Sequence, residues 1–132
     1  VKITEGHNYD LFSVADLALA TSGTVTLEAA LCGLPSVIVY RTSALNAFIA
    51  RLVINIPNIG LPNIVAGKTI MPELLQEDFT PEKLAKTAVE LLQPERQAQL
   101  QSDLAYMKHR LGEPGAVNRV AQLILKITEE RK

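Results

Sequence analysis

The chain has 132 residues, 48% of them hydrophobic, enough for one domain with its own core and too apolar for a disordered chain. Thirteen basic and 14 acidic residues leave a net charge of -1, without the basic stripe that nucleic-acid binding needs. The single cysteine, Cys32, excludes an internal disulfide and fits a reducing compartment, and no apolar run reaches the ~18–20 residues of a membrane span.

In chain order, residues 1–4 read as a short strand with no targeting segment before it, which predicts a piece of a longer protein. Residues 9–15 read as a short helix, and 16–20 are largely apolar, as a buried parallel strand is. From Leu19 to Tyr40 the sequence runs L-A-T-S-G-T-V-T-L-E-A-A-L-C-G-L-P-S-V-I-V-Y. This is a strand end, a tight turn, a helix from Thr24 to Leu31, a stop at Gly33 and Pro35, and a β-branched strand from Ser36 to Tyr40. Strands and helices alternating at this spacing predict βαβ units: an α/β fold, a Rossmann-like parallel sheet with flanking helices.

Ser43 caps a helix expected to run to about Ile54, apolar at Leu45, Phe48, Ile49, Leu52 and Val53. Residues 58–67 are predicted to be a loop with a short strand, and 72–76 one helical turn with Pro72 at its start. The last third is predicted to be helical. Thr80-Pro81 opens a first helix with a stripe at Leu84, Ala85, Ala88, Leu91 and Leu92. A second spans 95–111, ended by Gly112, and a third spans 116–127; their apolar stripes are core or interface. Residues 129–132 are expected to fray.

The expected chemical centre is the turn Ser22-Gly23-Thr24. Gly23 can take a backbone conformation closed to other residues, and Ser22 and Thr24 are good N-cap residues. Together they set free backbone N–H groups at the positive end of a helix dipole, a ready phosphate site. Ligands of open α/β sheets collect at such carboxyl strand ends. Glu28 follows one helical turn after Thr24 on the same face, suited to ribose hydroxyls. The plain alternative is a helix cap that binds nothing. Neither G-x-G-x-x-G nor G-x-x-x-x-G-K-[ST] occurs. His7 and His109 lack partners at metal spacing, so no metal site is expected. His7 reads as a solvated loop histidine, His109 as a favourable charge near a helix C-terminus, and Cys32 as a buried structural thiol. Ser22 has no base partner for a nucleophilic role.

The run S-G-T-V-T-L-E-A-A-L-C-G-L-P-S-V-I-V-Y, from Ser22 to Tyr40, resembles the sugar-nucleotide-binding half of GT-B glycosyltransferases. With G-L-P-N-I-V-A-G, from Gly60 to Gly67, and P-E-L-L-Q-E, from Pro72 to Glu77, it is similar to the C-terminal region of the lipid-A-disaccharide synthase family. The first motif alone is shared with other GT-B enzymes, including the peptidoglycan N-acetylglucosamine transferase. The resemblance covers residues 10–92, and beyond them mainly G-E-P-G-A from Gly112 to Ala116.

This resemblance implies a two-domain enzyme with its active site in the interdomain cleft. Residues 1–132 would be a single C-terminal donor-binding region, truncated at its N-terminus. The implied reaction joins UDP-2,3-diacylglucosamine to 2,3-diacylglucosamine 1-phosphate, giving a β-1,6-linked disaccharide monophosphate, with no metal or other cofactor. The missing N-terminal domain would bind the acylated acceptor and supply the base, so no catalytic residue is expected here and the piece alone is expected to be inactive. On this sequence, the N–H groups of Ser22, Gly23 and Thr24 would hold the diphosphate and meet the charge of the leaving group. Glu28 would take the ribose hydroxyls and Asn63 would face the donor. Glu73 and Gln76 would reach donor sugar hydroxyls, and Arg41 would pair with phosphate or stay solvated.

The implied partners are the UDP-sugar, the acceptor, and the cytoplasmic face of the inner membrane, held peripherally because the substrates are acylated. An exposed sheet edge invites a homo-oligomer. Two other readings stay open. One is a different GT-B UDP-N-acetylglucosamine transferase or a UDP-sugar epimerase, sharing the turn and Glu28. The other is a non-catalytic membrane- or protein-interaction module built on the helix of residues 44–56, with Arg41 and Arg51 toward anionic lipid; the pattern favours that helix packing its apolar face on the sheet instead.

Overall fold

Val37 and Ile38 are both without solvent exposure, although successive strand residues point to opposite faces. The strand that carries them is therefore covered on both faces and lies at the centre of the sheet. The structure, a computed structural model, describes residues 2–43 and 57–129. The central strand, β2 (Ser36–Tyr40), pairs in parallel with β1 (Ala18–Thr21), from Ala18 opposite Ser36 to Thr21 opposite Val39. On its other side it pairs in parallel with β3 (Glu73–Leu75), from Ile38 opposite Glu73 to Tyr40 opposite Leu75. All three carboxyl ends thus lie along one edge.

Helix α1 (Asn8–Val14) precedes the sheet and buries no residue. Helix α2 (Thr24–Leu31) joins β1 to β2 and buries Thr26, Ala29 and Ala30. It stops where Gly33, at φ 82°, turns left-handed. Leu34 N–H then donates to Ala29 O and Gly33 N–H to Ala30 O, the paired bonds of a Schellman end. Helix α3 (Leu61–Ala66) ends at Gly67, also left-handed at φ 70°, whose N–H donates to Ile64 O. A 3-10 turn (Gln76–Asp78) leads from β3 to α4 (Pro81–Leu91), which Thr80 caps by accepting from Lys83 N–H. Helices α5 (Pro94–Leu111) and α6 (Ala116–Glu129) complete the described chain.

The core gathers β2 with Ala30, Ala66, Ile70, Met71, Leu74 and Leu91. Leu100, Leu104 and Met107 of α5 complete it, at most 1% exposed. Their i, i+4, i+7 spacing puts them on one helix face. Each contributes about 1.5–3 kcal/mol through burial.

Five expectations are corrected. Residues 2–4 form no strand and are exposed. The segment expected as a loop folds as α3, because Pro62 suits a first turn and Gly67 ends it. Within the turn expected over 72–76, Glu73–Leu75 extend rather than coil, since Ile38 N–H takes Pro72 O at 2.9 Å and draws them into the ladder; Gln76 opens the 3-10 turn. Cys32 is exposed, lying at the end of α2 rather than on its packed face. Glu129 lies within α6. On edge strand β1, Leu19 is 55% exposed. In α6, the apolar residues Val117, Val120, Ile124 and Ile127 are uncovered by the described residues. The helix expected over 43–54 lies outside the described residues.

Candidate functional site

Each strand is followed at its carboxyl end by one segment that bears predicted site residues: Ser22-Gly23-Thr24 after β1, Arg41 after β2 and Gln76 after β3. The parallel register brings the three side by side, where ligands of open α/β sheets collect.

The Ser22 turn differs in detail from expectation. Ser22 N–H donates to Val39 O at 3.1 Å and so prolongs the β1–β2 ladder. Its hydroxyl donates to Ile59 O, also at 3.1 Å. The amide of Ser22 is therefore not offered to a phosphate, because the sheet already uses it. Gly23 is the N-cap, at φ 161° and ψ -170°, which is extended backbone open to any residue and not the special conformation expected. Neither Ser22 nor Thr24 caps the helix, since α2 has no side-chain cap. Thr26 closes on Gly23 O, through its amide at 3.2 Å and its hydroxyl at 2.7 Å. The amides of Thr24 and Val25 precede the first helical carbonyl that could accept from them. Glu28 is half-buried one turn along, and among the described residues nothing engages its carboxylate.

Asn63 is fully buried, and its carboxamide is committed within the protein. Oδ1 accepts from Ile70 N–H at 2.9 Å and Met71 N–H at 2.8 Å. Nδ2 donates to Met71 O at 2.8 Å and to Glu73 Oε1 at 2.7 Å. Those four bonds use all the hydrogen-bonding capacity of an amide side chain, so Asn63 does not face a donor. Glu73 is similarly occupied: besides Asn63, it accepts from Gly60 N–H on Oε1 at 3.0 Å and from Ile59 N–H on Oε2 at 2.9 Å. Its carboxylate is turned toward the 59–63 segment, with three donors already on it.

Arg41 is anchored rather than freely solvated. Its Nη2 donates to Phe79 O at 2.8 Å and Gln76 O at 3.2 Å, and its guanidinium lies 5.5 Å from the centre of the Phe79 ring. Gln76 has left-handed backbone at φ 51°. Its carboxamide lies against the Thr42 backbone: Oε1 accepts from Thr42 N–H at 3.4 Å, and exchanging the amide oxygen and nitrogen lets Nε2 donate to Thr42 O at 3.1 Å as well. Sugar contact through that amide would require breaking this pairing. Arg41 and Gln76 together stitch the segment after β2 to the segment after β3.

Elsewhere, His7 is exposed and its Nδ1 lies 3.2 Å from Asp10 Oδ2. His109 sits in the last turn of α5 with Lys108 and Arg110. Among the described residues no group of three His, Cys, Asp or Glu is placed to hold a metal ion, and no helix is long and apolar enough to cross a membrane. Two surface grooves, one bordered by Pro72, Thr87 and Arg96 and the other by Asp16, Pro35 and Gln101, include residues that precede the strands. They therefore lie toward the amino ends, away from the Ser22 turn. Sequence reasoning missed the part played by Ile59, Gly60 and Thr42. They act through backbone groups, which carry no residue-type signal. For Asn63 a signal existed: an amide inside the apolar run Leu61 to Ala66 is normally buried and bonded.

Comparison with known proteins bears on the whole chain. The family model for lipid-A-disaccharide synthetase matches residues 1–127. The lipid-A-disaccharide synthase of Syntrophus aciditrophicus is 42% identical over 131 residues, covering 98% of this chain and 34% of that protein. That of Nitrosococcus oceani is 39% identical over 130 residues, covering 98% and 33%. That of Synechocystis is 43% identical over 130 residues, covering 96% and 33%. The chain spans about a third of the length of these curated relatives. It belongs to the lipid-A-disaccharide synthetase family.

Proposed function

We propose that this chain forms the donor-nucleotide surface of a glycosyltransferase that joins UDP-2,3-diacylglucosamine to 2,3-diacylglucosamine 1-phosphate, releasing UDP. The observation that carries this reading is the start of α2. It has no side-chain cap, stands at the carboxyl end of a parallel strand, and has the half-buried Glu28 one turn along. The amides of Thr24 and Val25 and the helix dipole suit a diphosphate, and a carboxylate at that spacing suits ribose hydroxyls. Arg41 adds a fixed positive charge at the same edge. As the glycosidic bond breaks, charge grows on the leaving diphosphate, and these preset dipoles stabilise it without reorganising. In this reading the donor charge is met by protein groups with no metal ion. The acceptor and the general base belong to the part of the protein outside this chain. The whole enzyme works peripherally at the cytoplasmic face of the inner membrane, where its acylated substrates lie.

An amide chemical-shift titration of the intact protein with UDP tests this, alongside Glu28→Ala. Shifts centred on Gly23, Thr24 and Val25, weakened in the variant, are expected. Their absence up to millimolar UDP would reduce the turn to a helix cap. A panel of UDP-sugars separates this donor from that of another UDP-N-acetylglucosamine transferase or an epimerase.

A further inference from the structure

The carboxylate of Glu73, on β3, and the hydroxyl of Ser22, just after β1, do not bond to each other, yet one residue joins them. Glu73 Oε2 accepts from Ile59 N–H at 2.9 Å, and Ile59 O accepts from Ser22 Oγ at 3.1 Å. We infer that Glu73 is a positioning residue for the donor site, setting the Ser22 turn through Ile59 rather than touching the donor itself. The inference rests on the donor reading proposed above.

The 59–60 segment has little freedom to sit elsewhere. Glu73 Oε1 takes Gly60 N–H and Asn63 Nδ2 together, so three donors converge on one carboxylate. Gly60 is pressed close: a Cβ there would fall 2.3 Å from Ile38 Cδ1 and 3.1 Å from Glu73 Oε1. Bonds to an ionised acceptor are stronger than neutral ones, so the carboxylate fixes Ile59, and Ile59 O in turn fixes the single proton of the Ser22 hydroxyl. With Ser22 held there and by Val39 O, the start of α2 keeps its place relative to Glu28. An amide in place of the carboxylate would present an N–H to one of the three donors and break the convergence.

Calorimetric titration of the intact protein with UDP, and separately with UDP-2,3-diacylglucosamine, tests the assignment on Glu73→Gln, Ser22→Ala and the double variant. Each single change is expected to weaken UDP about tenfold, the scale of a small misplacement of binding groups. The sugar nucleotide should weaken by the same factor. The double variant should be no weaker than the weaker single one, because both changes interrupt the same connection. Three results would overturn the assignment: unchanged UDP affinity in Glu73→Gln, losses that multiply in the double variant, or a loss confined to the sugar nucleotide, which would mean direct contact with the sugar. Should Glu73→Gln fail to fold, Ser22→Ala leaves the Glu73 bonds in place and decides, since unchanged affinity there also overturns it. Absence of UDP binding by the unsubstituted protein would instead remove the donor reading, and the assignment with it.

Discussion

At the scale of single residues, Asn63 works as an internal connector. It satisfies both amides of Ile70 and Met71, which would otherwise be buried without partners. An unsatisfied buried group costs about 1–3 kcal/mol. Asn63→Ala is therefore expected to lose roughly 2–4 kcal/mol, read by urea unfolding; a loss below about 1 kcal/mol would contradict the bonding described. Asn63→Asp should also be damaging, because it sets a second carboxylate against Glu73 Oε1, where Nδ2 now stands at 2.7 Å. Gln76 presents the opposite balance. Its left-handed backbone costs about 1–2 kcal/mol relative to glycine, while its side chain holds Thr42. Both Gln76→Gly and Gln76→Ala lose that hold, but only glycine relieves the backbone. The glycine variant should then be the more stable of the two by about 1 kcal/mol; equal stability would show that the backbone at this site relaxes.

Between elements, two contacts govern how α3 and its flanks sit on the sheet. The first is the close approach of Gly60 to β2. Gly60→Ala would drive a methyl group into Ile38 Cδ1, and Ile38 is fully buried and cannot move aside freely. Overpacking of this kind costs about 1–3 kcal/mol. Ile38→Val removes that terminal carbon, so the double variant should be more stable than the sum of its parts predicts; strict additivity would refute the contact. The second is the ion pair from Lys68, just after α3, to Asp103 of α5, at 2.5 Å. The Lys68 hydrogen bond holds the Asp103 carboxyl below its ordinary range; partial burial opposes it, and Gln99 assists. A carboxyl depressed in the folded state stabilises above its unfolded pKa, about 4, and loses that contribution as pH falls through its folded value. The stability advantage over Asp103→Asn should be full at neutral pH and shrink below about pH 4. A gap independent of pH, followed by urea unfolding, would rule out the charge as its source.

For the whole molecule, the described residues form a sheet with one covered centre and two edges. β1 leaves Leu19 largely exposed, and α6 keeps its apolar face uncovered by them. The curated relatives are about three times as long as this chain. On the proposed function, turnover needs the acceptor-binding part and its base, so the 132 residues alone should form no disaccharide from UDP-2,3-diacylglucosamine and its acceptor. Product formation by this chain alone would place a base within it.

What the sequence determined by itself was local and periodic. The αβ alternation, the α2 and β2 bounds, the Thr80 cap and the α5 stripe all follow from spacing and turn chemistry, because neighbouring residues decide them. Family membership was legible too, since three short motifs in order carry it. The α3 helix and the β3 strand were not legible. A six-residue helix and a three-residue strand have too few periods to declare themselves, and their partners, Pro72 O for Ile38 and Met71 for Asn63, are set by packing. The roles within the site were decided by tertiary structure as well. Asn63 and Glu73 are residue types that suit a sugar ligand, and only the folded chain supplies the backbone groups that claim them first. Those groups stand 7–14 residues away along the chain, and the tie from Ser22 to Ile59 spans 37. No local pattern carries information over such distances; the closing of the sheet does.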